Sequence, residues 1–438
     1  MTKVFRPWEV DQVWLLAPSV QELVPEGHAA HLVRELVRGE LDLSEILGAY
    51  VEERGYPPYH PVMMTALLLY AYTQGVYSSR RIARGCEERV DFMAVTALAQ
   101  PDFRTISDFR RRHLKALGGL FVQVLALCRR AGLVRLGHVA LDGTKIRANA
   151  SRHKAMSYGR MKSVEQRLAA EVAGWLQQAE AADVAEDRQH GGDLRGDELP
   201  AWVADKQQRL EKIRRAKAEL EREARERDSG PPPPPKGPGG RPRKRPRGVP
   251  DEATQRNFTD PDSRIMMSRD GFQQCYNAQA AVEAGSQVIV AHGLTCSATD
   301  RHQLVPLVQA IRAGTGQTPQ EVSADCDYLS EANLEYLDAH GIRGYIATGK
   351  QQHGRPAPTG HHRAPKGART QAMKLRLQRG SWRSRYRFRK QTAEPVFGQI
   401  KAGRGMRQFL LRGQEKVSAE WALLCTAHNL LKLLPQAG

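Results

Sequence analysis

A strand-forming pattern in this chain is cut in two by a long stretch that cannot be strand. The first half, G-H-V-A-L-D-G-T-K-I-R-A-N-A (137–150), has the alternation of a strand and its returning neighbour. From about 155 to 228 the composition shifts to Ala, Glu, Lys, Arg and Gln. Leu210, Ile213, Leu220 and Ala224 recur there at helical spacing, with a Gly-Gly break near 191, which predicts a protruding helical hairpin. Residues 229–250 then carry five consecutive prolines (231–235) and K-G-P-G-G-R-P-R-K-R-P-R-G, a stiff, charged linker. Strand signals resume in F-Q-Q-C-Y-N-A-Q-A-A-V-E and S-Q-V-I-V-A-H-G-L-T. A helix at about 302–313, a strand E-V-S-A-D, a helix near 330–340 and a strand G-Y-I-A-T follow. The expected class is therefore α/β, with a mixed-sheet core interrupted after its first strand.

Charge narrows the partner. Among 438 residues, Lys+Arg 66 against Asp+Glu 48 leave a net +18, which points to a polyanion, with nucleic acid ahead of an anionic membrane. No signal peptide opens the chain and no apolar run is long enough to span a bilayer, so no membrane partner is expected. The six cysteines form no C-x-x-C pair. That argues against a disulfide framework or structural zinc and fits a reducing cytoplasm, with the protein on the nucleoid. Between Ala339 and Ala393 there is no acidic residue, a one-sided segment that would repel itself unless it lay against phosphates.

Residues from about 10 to 135 read as helical. Pro61 opens a run that ends at Gly75, Ser78-Ser79 caps a basic helix, and Thr105 with Asp108 resembles a capping box. The succession suggests a helix-turn-helix-like DNA binder, with Arg110, Arg111 and Arg112 as contacts; a helical bundle with a charged outer face is the alternative. Arg241-Pro242-Arg243 resembles a minor-groove hook, against the plainer reading of a solvated basic linker with nonspecific phosphate affinity.

Three acids carry the chemistry. Asp142 is expected to end the first core strand and Asp325 a later one, while Glu394 lies in A-E-P-V-F-G-Q-I-K on a helix. Each alone is a common turn former or surface charge. Placed on one α/β core, they are what two-metal phosphoryl transfer requires, with Mg²⁺ (two ions) or Mn²⁺ held by hard oxygen donors. Seven residues separate Glu394 from Lys401, two helical turns, so both would project from one face with Gly398 leaving space between; Val396, Phe397 and Ile400 would anchor the helix.

V-A-L-D-G-T-K-I-R-A-N-A-S, N-F-T-D-P-D-S-R-I-M, Y-N-A-Q-A-A-V, E-P-V-F-G-Q-I-K and the ending A-E-W-A-L-L-C-T-A-H-N-L-L-K-L resemble the DDE transposases of bacterial insertion sequences, most closely the insertion-sequence group numbered eleven-eighty-two. The resemblance runs from F-R-P-W near the start to the C-terminus and is loosest in 155–255 and 350–380. It implies an RNase H-like mixed-sheet catalytic core with an N-terminal helical DNA-binding domain, and Asp142, Asp325 and Glu394 as metal ligands. It also implies a Y-R-E-K signature of Tyr386, Arg389, Glu394 and Lys401, in which Arg389 and Lys401 contact phosphates and Tyr386 positions the helix or the transposon end. The partners implied are double-stranded DNA, as terminal inverted repeats and target, and a second copy of the chain in a synaptic homodimer. The activity implied is end cleavage and strand transfer; the alternatives are a catalytically inactive DNA-binding relative or a nuclease on the same core. Four residues instead of three separate Arg389 from Glu394, and Pro395 follows the glutamate, so a helix starting or kinking near Thr392 is expected. Cys326 and Asp327 stand where a small residue and a glycine are usual; Asp327 reads as a tolerated loop change, a supplementary ligand, a rival to Asp325 or a lesion. Thr259-Asp260-Pro261-Asp262 reads as an Asx-type turn.

The expected segments are 1–135 (helical, DNA-binding), 136–154 (first part of the core), 155–228 (hairpin insertion), 229–256 (linker), 257–349 (rest of the core), 350–385 (basic, DNA-contacting) and 386–438 (glutamate helix and C-terminal helix).

Overall fold

A computed structural model describes residues 19–51, 57–190, 201–230, 246–268, 270–349, 367–378 and 380–434. Seven helices precede the first long strand: α1 (Ala29–Gly39), α2 (Ser44–Leu47), α3 (Pro61–Thr73), α4 (Ser79–Glu88), α5 (Val90–Thr96), α6 (Phe103–Arg112) and α7 (Leu114–Arg130). Pro61 occupies the first turn of α3, where its missing N–H costs nothing, and Ser78 caps α4 through the Arg81 amide. The cap of α6 differs from expectation. Asp102 accepts from the Arg104 and Thr105 amides at 2.6 and 3.2 Å, while Asp108 pairs with Arg111 at 3.0 Å. A carboxylate just before the first turn meets two free amides and wins over the Thr105–Asp108 pairing.

The strands are β1 (His138–Arg147), β2 (Ala155–Ser157), β3 (Gln255–Asn257), β4 (Arg264–Ser268), β5 (Gly271–Glu283), β6 (Ile289–Thr295), β7 (Glu321–Ala324) and β8 (Arg343–Ile346). The main sheet runs β4-β5-β1-β7-β8 with β6 also on β5; β1, β7 and β8 are parallel and the rest antiparallel. The segment expected to be a strand and its return is one unbroken strand. Asp142-Gly143 lies in its middle, opposite Ala280 and Gln279, so the dipeptide makes no turn.

Between β2 and β3 stand α8 (Tyr158–His190) and α9 (Ala201–Arg227), the expected hairpin. It has its own small core of Met161, Leu168, Leu210, Ile213 and Leu220, and Lys217–Glu165 and Lys206–Glu171 ion pairs at 2.5 and 2.7 Å bind its two arms. Residues 231–245, with Arg241 and Arg243, lie outside the described residues.

The remaining helices are α10 (Leu304–Thr315), α11 (Glu331–Ala339), α12 (Ala368–Gln378), α13 (Gly380–Gly398) and α14 (Gln414–Leu433). One hydrophobic core joins Leu68 of α3, Val124 of α7, Leu141 of β1, Ile289 of β6 and Trp421 of α14. The N-terminal helices thus share one core with the sheet, and α14 packs against α3, α7 and β6. The T-D-P-D turn has a job in this: buried Asp260 accepts from the Tyr276 hydroxyl (2.7 Å) and the Gly413 amide (3.1 Å), and Asp262 from the Gln414 amide (2.8 Å). It fastens the start of α14. No described helix is long and apolar enough to cross a membrane.

α13 runs from Gly380 to Gly398 with Pro395 inside it, which corrects the start expected near Thr392. Proline leaves the Gln391 carbonyl without its helical donor. Gln287 Nε2 supplies a replacement at 3.2 Å, and buried Thr392, Ala393 and Val396 hold the helix against the sheet. A π-helical turn, Gln399–Gly403, follows and carries Lys401.

Candidate active site

β1 and β7 bring two of the acids together. Their parallel register pairs His138 with Glu321, Val139 with Val322 and Ala140 with Ser323. The same offset sets Asp142 opposite Asp325, the first residue past β7, whose carboxylate turns to accept the Asp327 amide at 2.9 Å. Asp327 is therefore placed by a short 3₁₀ turn (Cys326–Tyr328), not by extended chain. Glu394 comes from α13, joined to Asp142 through one guanidinium. Arg389 reaches Asp142 Oδ2 with Nη1 at 3.2 Å and Glu394 Oε1 with Nη2 at 3.4 Å. Arg389 spans these two acids although five residues separate it from Glu394 on α13.

Electrostatics follow from burial. Loss of water pushes the Asp142 carboxyl up to about 7; Arg389 pulls the other way, and the charges of Asp325 and Glu394 add to the rise. Asp325 is likewise raised, first by burial, with Asp327 and Asp300 contributing and Arg389 opposing. Burial works against the Arg389 charge too, but Asp142, Tyr386, Asp325 and Glu394 together hold its pKa above the ordinary value. Tyr386 stands beside Arg389, its phenol raised by burial. Half-buried Lys401 donates to Thr144 Oγ1 (3.0 Å) and the Lys145 carbonyl (3.1 Å), two and three residues along β1 from Asp142.

Side chains alternate across a strand. Asp142 and Thr144 face α13, whereas Gly143 and Lys145, opposite Gln279 and Asn277, face away. On that far side Gly293, the partner of Gln279, meets Leu307 of α10, so α13 and α10 cover opposite faces. Behind Asp142 lies a polar group that sequence reasoning missed. Asp300 is buried and accepts from Asn277 and from Gln279 Nε2 (2.8 Å), with Lys145 at 3.5 Å, and Tyr328 donates to Gln279. Asp300, Asp325 and Asp327 bring carboxylate oxygens within 4.8 Å of one another. The available signal was Y-N-A-Q: two carboxamides on one face of an otherwise apolar buried strand require a buried polar partner.

Gly143 makes room for this group. A Cβ there would stand 2.3 Å from Gln279 Nε2 and 3.0 Å from Asn277 Oδ1 and Asp300 Oδ1. Gly143→Ala is expected to cost about 2 kcal/mol in denaturant unfolding, as overpacking does; an unchanged midpoint would show that the network yields freely.

The three N-terminal arginines are placed differently: Arg110 is buried, while Arg111 and Arg112 are exposed. Arg110 is buried, donating to the Tyr77 carbonyl (2.8 Å) and Ser79 Oγ (3.2 Å). Arg112 donates to the Ala49 carbonyl (2.6 Å) and lies over the Tyr50 ring. Arg111 points outward, beside Asp108. The sequence pattern of three arginines does not reveal that a helix turns successive residues to different sides. Arg110→Met should therefore lower stability by about 2 kcal/mol, by stranding buried acceptors, with little direct change in DNA affinity. A large affinity loss at unchanged melting temperature would restore the contact role. The acid-free segment is also partly neutralised from within: Arg385 pairs with Glu321 (2.5 Å), and Arg369 with Glu335 and Asp338 (both 3.5 Å).

Two transposase models match this chain. Residues 18–112, covering α1 to α6, match a transposase domain (DUF772), and residues 349–434 match a transposase DDE domain. No curated protein and no solved structure matches. The transposase DDE domain match takes in Tyr386, Arg389, Glu394 and Lys401; Asp142 and Asp325 lie outside both matched segments. The transposase domain at the N-terminus includes all three arginines 110–112.

Proposed function

We propose that this protein is a DDE-type DNA transposase with an RNase H-like core, one that cleaves at insertion-sequence ends and transfers the freed strand into target DNA. The carrying observation is the shared register of Asp142 and Asp325 on parallel strands, tied to Glu394 of the transposase DDE segment through Arg389. The converging donors are carboxylate oxygens, which suit Mg²⁺ or Mn²⁺, and their excess of negative charge over one guanidinium suits divalent ions. Asp142, Asp325 and Glu394 would hold them; when bound, the ions supply Lewis-acid charge at the attacking and leaving oxygens of a phosphodiester. This chain's residues do the rest. Arg389 offsets acid–acid repulsion, and Lys401, anchored on Thr144 and Lys145, presents a cation to a phosphate beside the acids. Tyr386 packs the arginine in place. Cleavage yields a 3′-hydroxyl whose attack on target DNA exchanges one phosphodiester for another, with no nucleotide energy source needed. Duplex terminal repeats and target DNA are the partners, two copies hold two ends, and the nucleoid is the place of action. The test is a supercoiled donor plasmid carrying the repeats that flank the reading frame, with Mg²⁺. Cleavage and joining by wild type are expected; cleavage without joining would make it a nuclease, and end binding alone a DNA-binding relative.

A further inference from the structure

Beyond the acids, β1 leads into a second feature that none of the readings above uses. Past Arg147 the chain 149–152 forms one wall of an open cavity of about 680 Å³. Arg147, Arg152, Lys154 and Arg412 line it, with Asp270 the one acid among the lining residues. Its floor is built, not draped: Asn149 Nδ2 donates to the Leu410 carbonyl (2.7 Å), Arg412 Nε to the Asn149 carbonyl (2.8 Å) and Gln408 Nε2 to the Ala148 carbonyl (3.2 Å). No carboxylate pairs with Arg147, Arg152 or Lys154 among the described residues. Over the rim stands the tip of the β4–β5 hairpin, where Phe272 lies opposite Met267, 56% and 60% exposed. Arg147, on its lining, belongs to the same strand, β1, as Asp142.

We infer that this groove is a binding site for an unpaired stretch of DNA strand, its phosphates held by Arg147, Arg152, Lys154 and Arg412 and a base stacked on Phe272. Clustered free cations select a phosphodiester backbone, and an exposed phenyl ring beside them offers a base nothing but its face. A fully paired duplex would leave that ring in water. The inference rests on the DNA-transposase reading for its choice of strand.

The test needs no metal and no cleavage. Full-length protein is titrated against a blunt duplex and against the same duplex extended by a single-stranded tail carrying 2-aminopurine. Wild type should bind the tailed probe about tenfold more tightly and quench the fluorophore, in keeping with the energy of one stacked base. Phe272→Ala, at an exposed hairpin tip, should abolish the preference and the quenching while keeping blunt-duplex affinity. Arg152→Ala with Lys154→Ala should weaken tailed-probe binding and lower its salt dependence by about two ions. Equal binding of both probes by wild type, or a preference intact in Phe272→Ala, overturns the groove and leaves the transposase reading standing. Binding of neither probe would instead remove the DNA reading itself.

Discussion

Glu394→Gln is expected to lower donor-plasmid cleavage and joining about a thousandfold or more while end binding persists. Charge stabilisation at the scissile phosphate is worth several kcal/mol, and ~4 kcal/mol corresponds to about a thousandfold in rate. Glutamine keeps the shape and one acceptor oxygen for Arg389, so the loss would lie in the negative charge. The Glu394 side chain is half exposed, which limits any stability penalty. Asp142→Asn should cost as much, and the double variant no more than either alone, because residues acting as a unit are non-additive. Residual cleavage by Glu394→Gln within tenfold of wild type, measured on gels with Mg²⁺, would remove Glu394 from the site and leave Asp300 or Asp327 as the third acid. Loss of end binding together with cleavage would make its role structural.

How far the sequence reaches is seen element by element. The strands that bury both faces, β5, β7 and β8, and the helices α10 and α11 follow from the sequence pattern. So does the hairpin, in which Leu210, Ile213, Leu220 and Ala224 recur at helical spacing. Three things did not follow. Asp142-Gly143 has the composition of a turn, but Gly143 is there because Gln279, Asn277 and Asp300 fill the space a Cβ would take. Pro395 reads as a helix breaker, yet a side chain 108 residues away (287 to 395) satisfies the carbonyl it vacates, through a contact local sequence does not contain. Arg110 has the composition of a DNA contact and is spent on the Tyr77 carbonyl. At the candidate site, residue type and position along the chain single out Asp142, Asp325 and Glu394 as candidates. Arg389's bridging of Asp142 and Glu394, and the Asp300 network behind them, depend on pairings made only when distant strands meet.

The burial of Asp142 makes it a burden on the fold, and that burden has a sign and a pH window. The carboxyl rises from 3.8 to about 7 on folding. Between those values the folded state holds a proton that the unfolded chain has released, so stability falls as pH rises through this range. Below the lower value both states are protonated and above the upper both are ionised, so the loss occurs between them and then levels off. A change of that size corresponds to roughly 4 kcal/mol for a single group. Asp142→Asn removes the titration and keeps an oxygen for Arg389 Nη1. It should therefore unfold at the same denaturant concentration as wild type near pH 4, and be the more stable protein at pH 8 by up to roughly 4 kcal/mol. Comparing variant with wild type at each pH cancels the carboxylates remote from Asp142, while Asp325 and Glu394, whose charges act on it, titrate together with it. Added Mg²⁺ should narrow the gap at pH 8, because it stabilises wild type and has lost a ligand in the variant. A variant less stable than wild type at pH 8, with no Mg²⁺ present, would mean that Arg389 holds Asp142 ionised and that the acid site is a stabilised ion pair. A more stable but inactive variant would locate in one side chain the stability given up for a metal-binding acid.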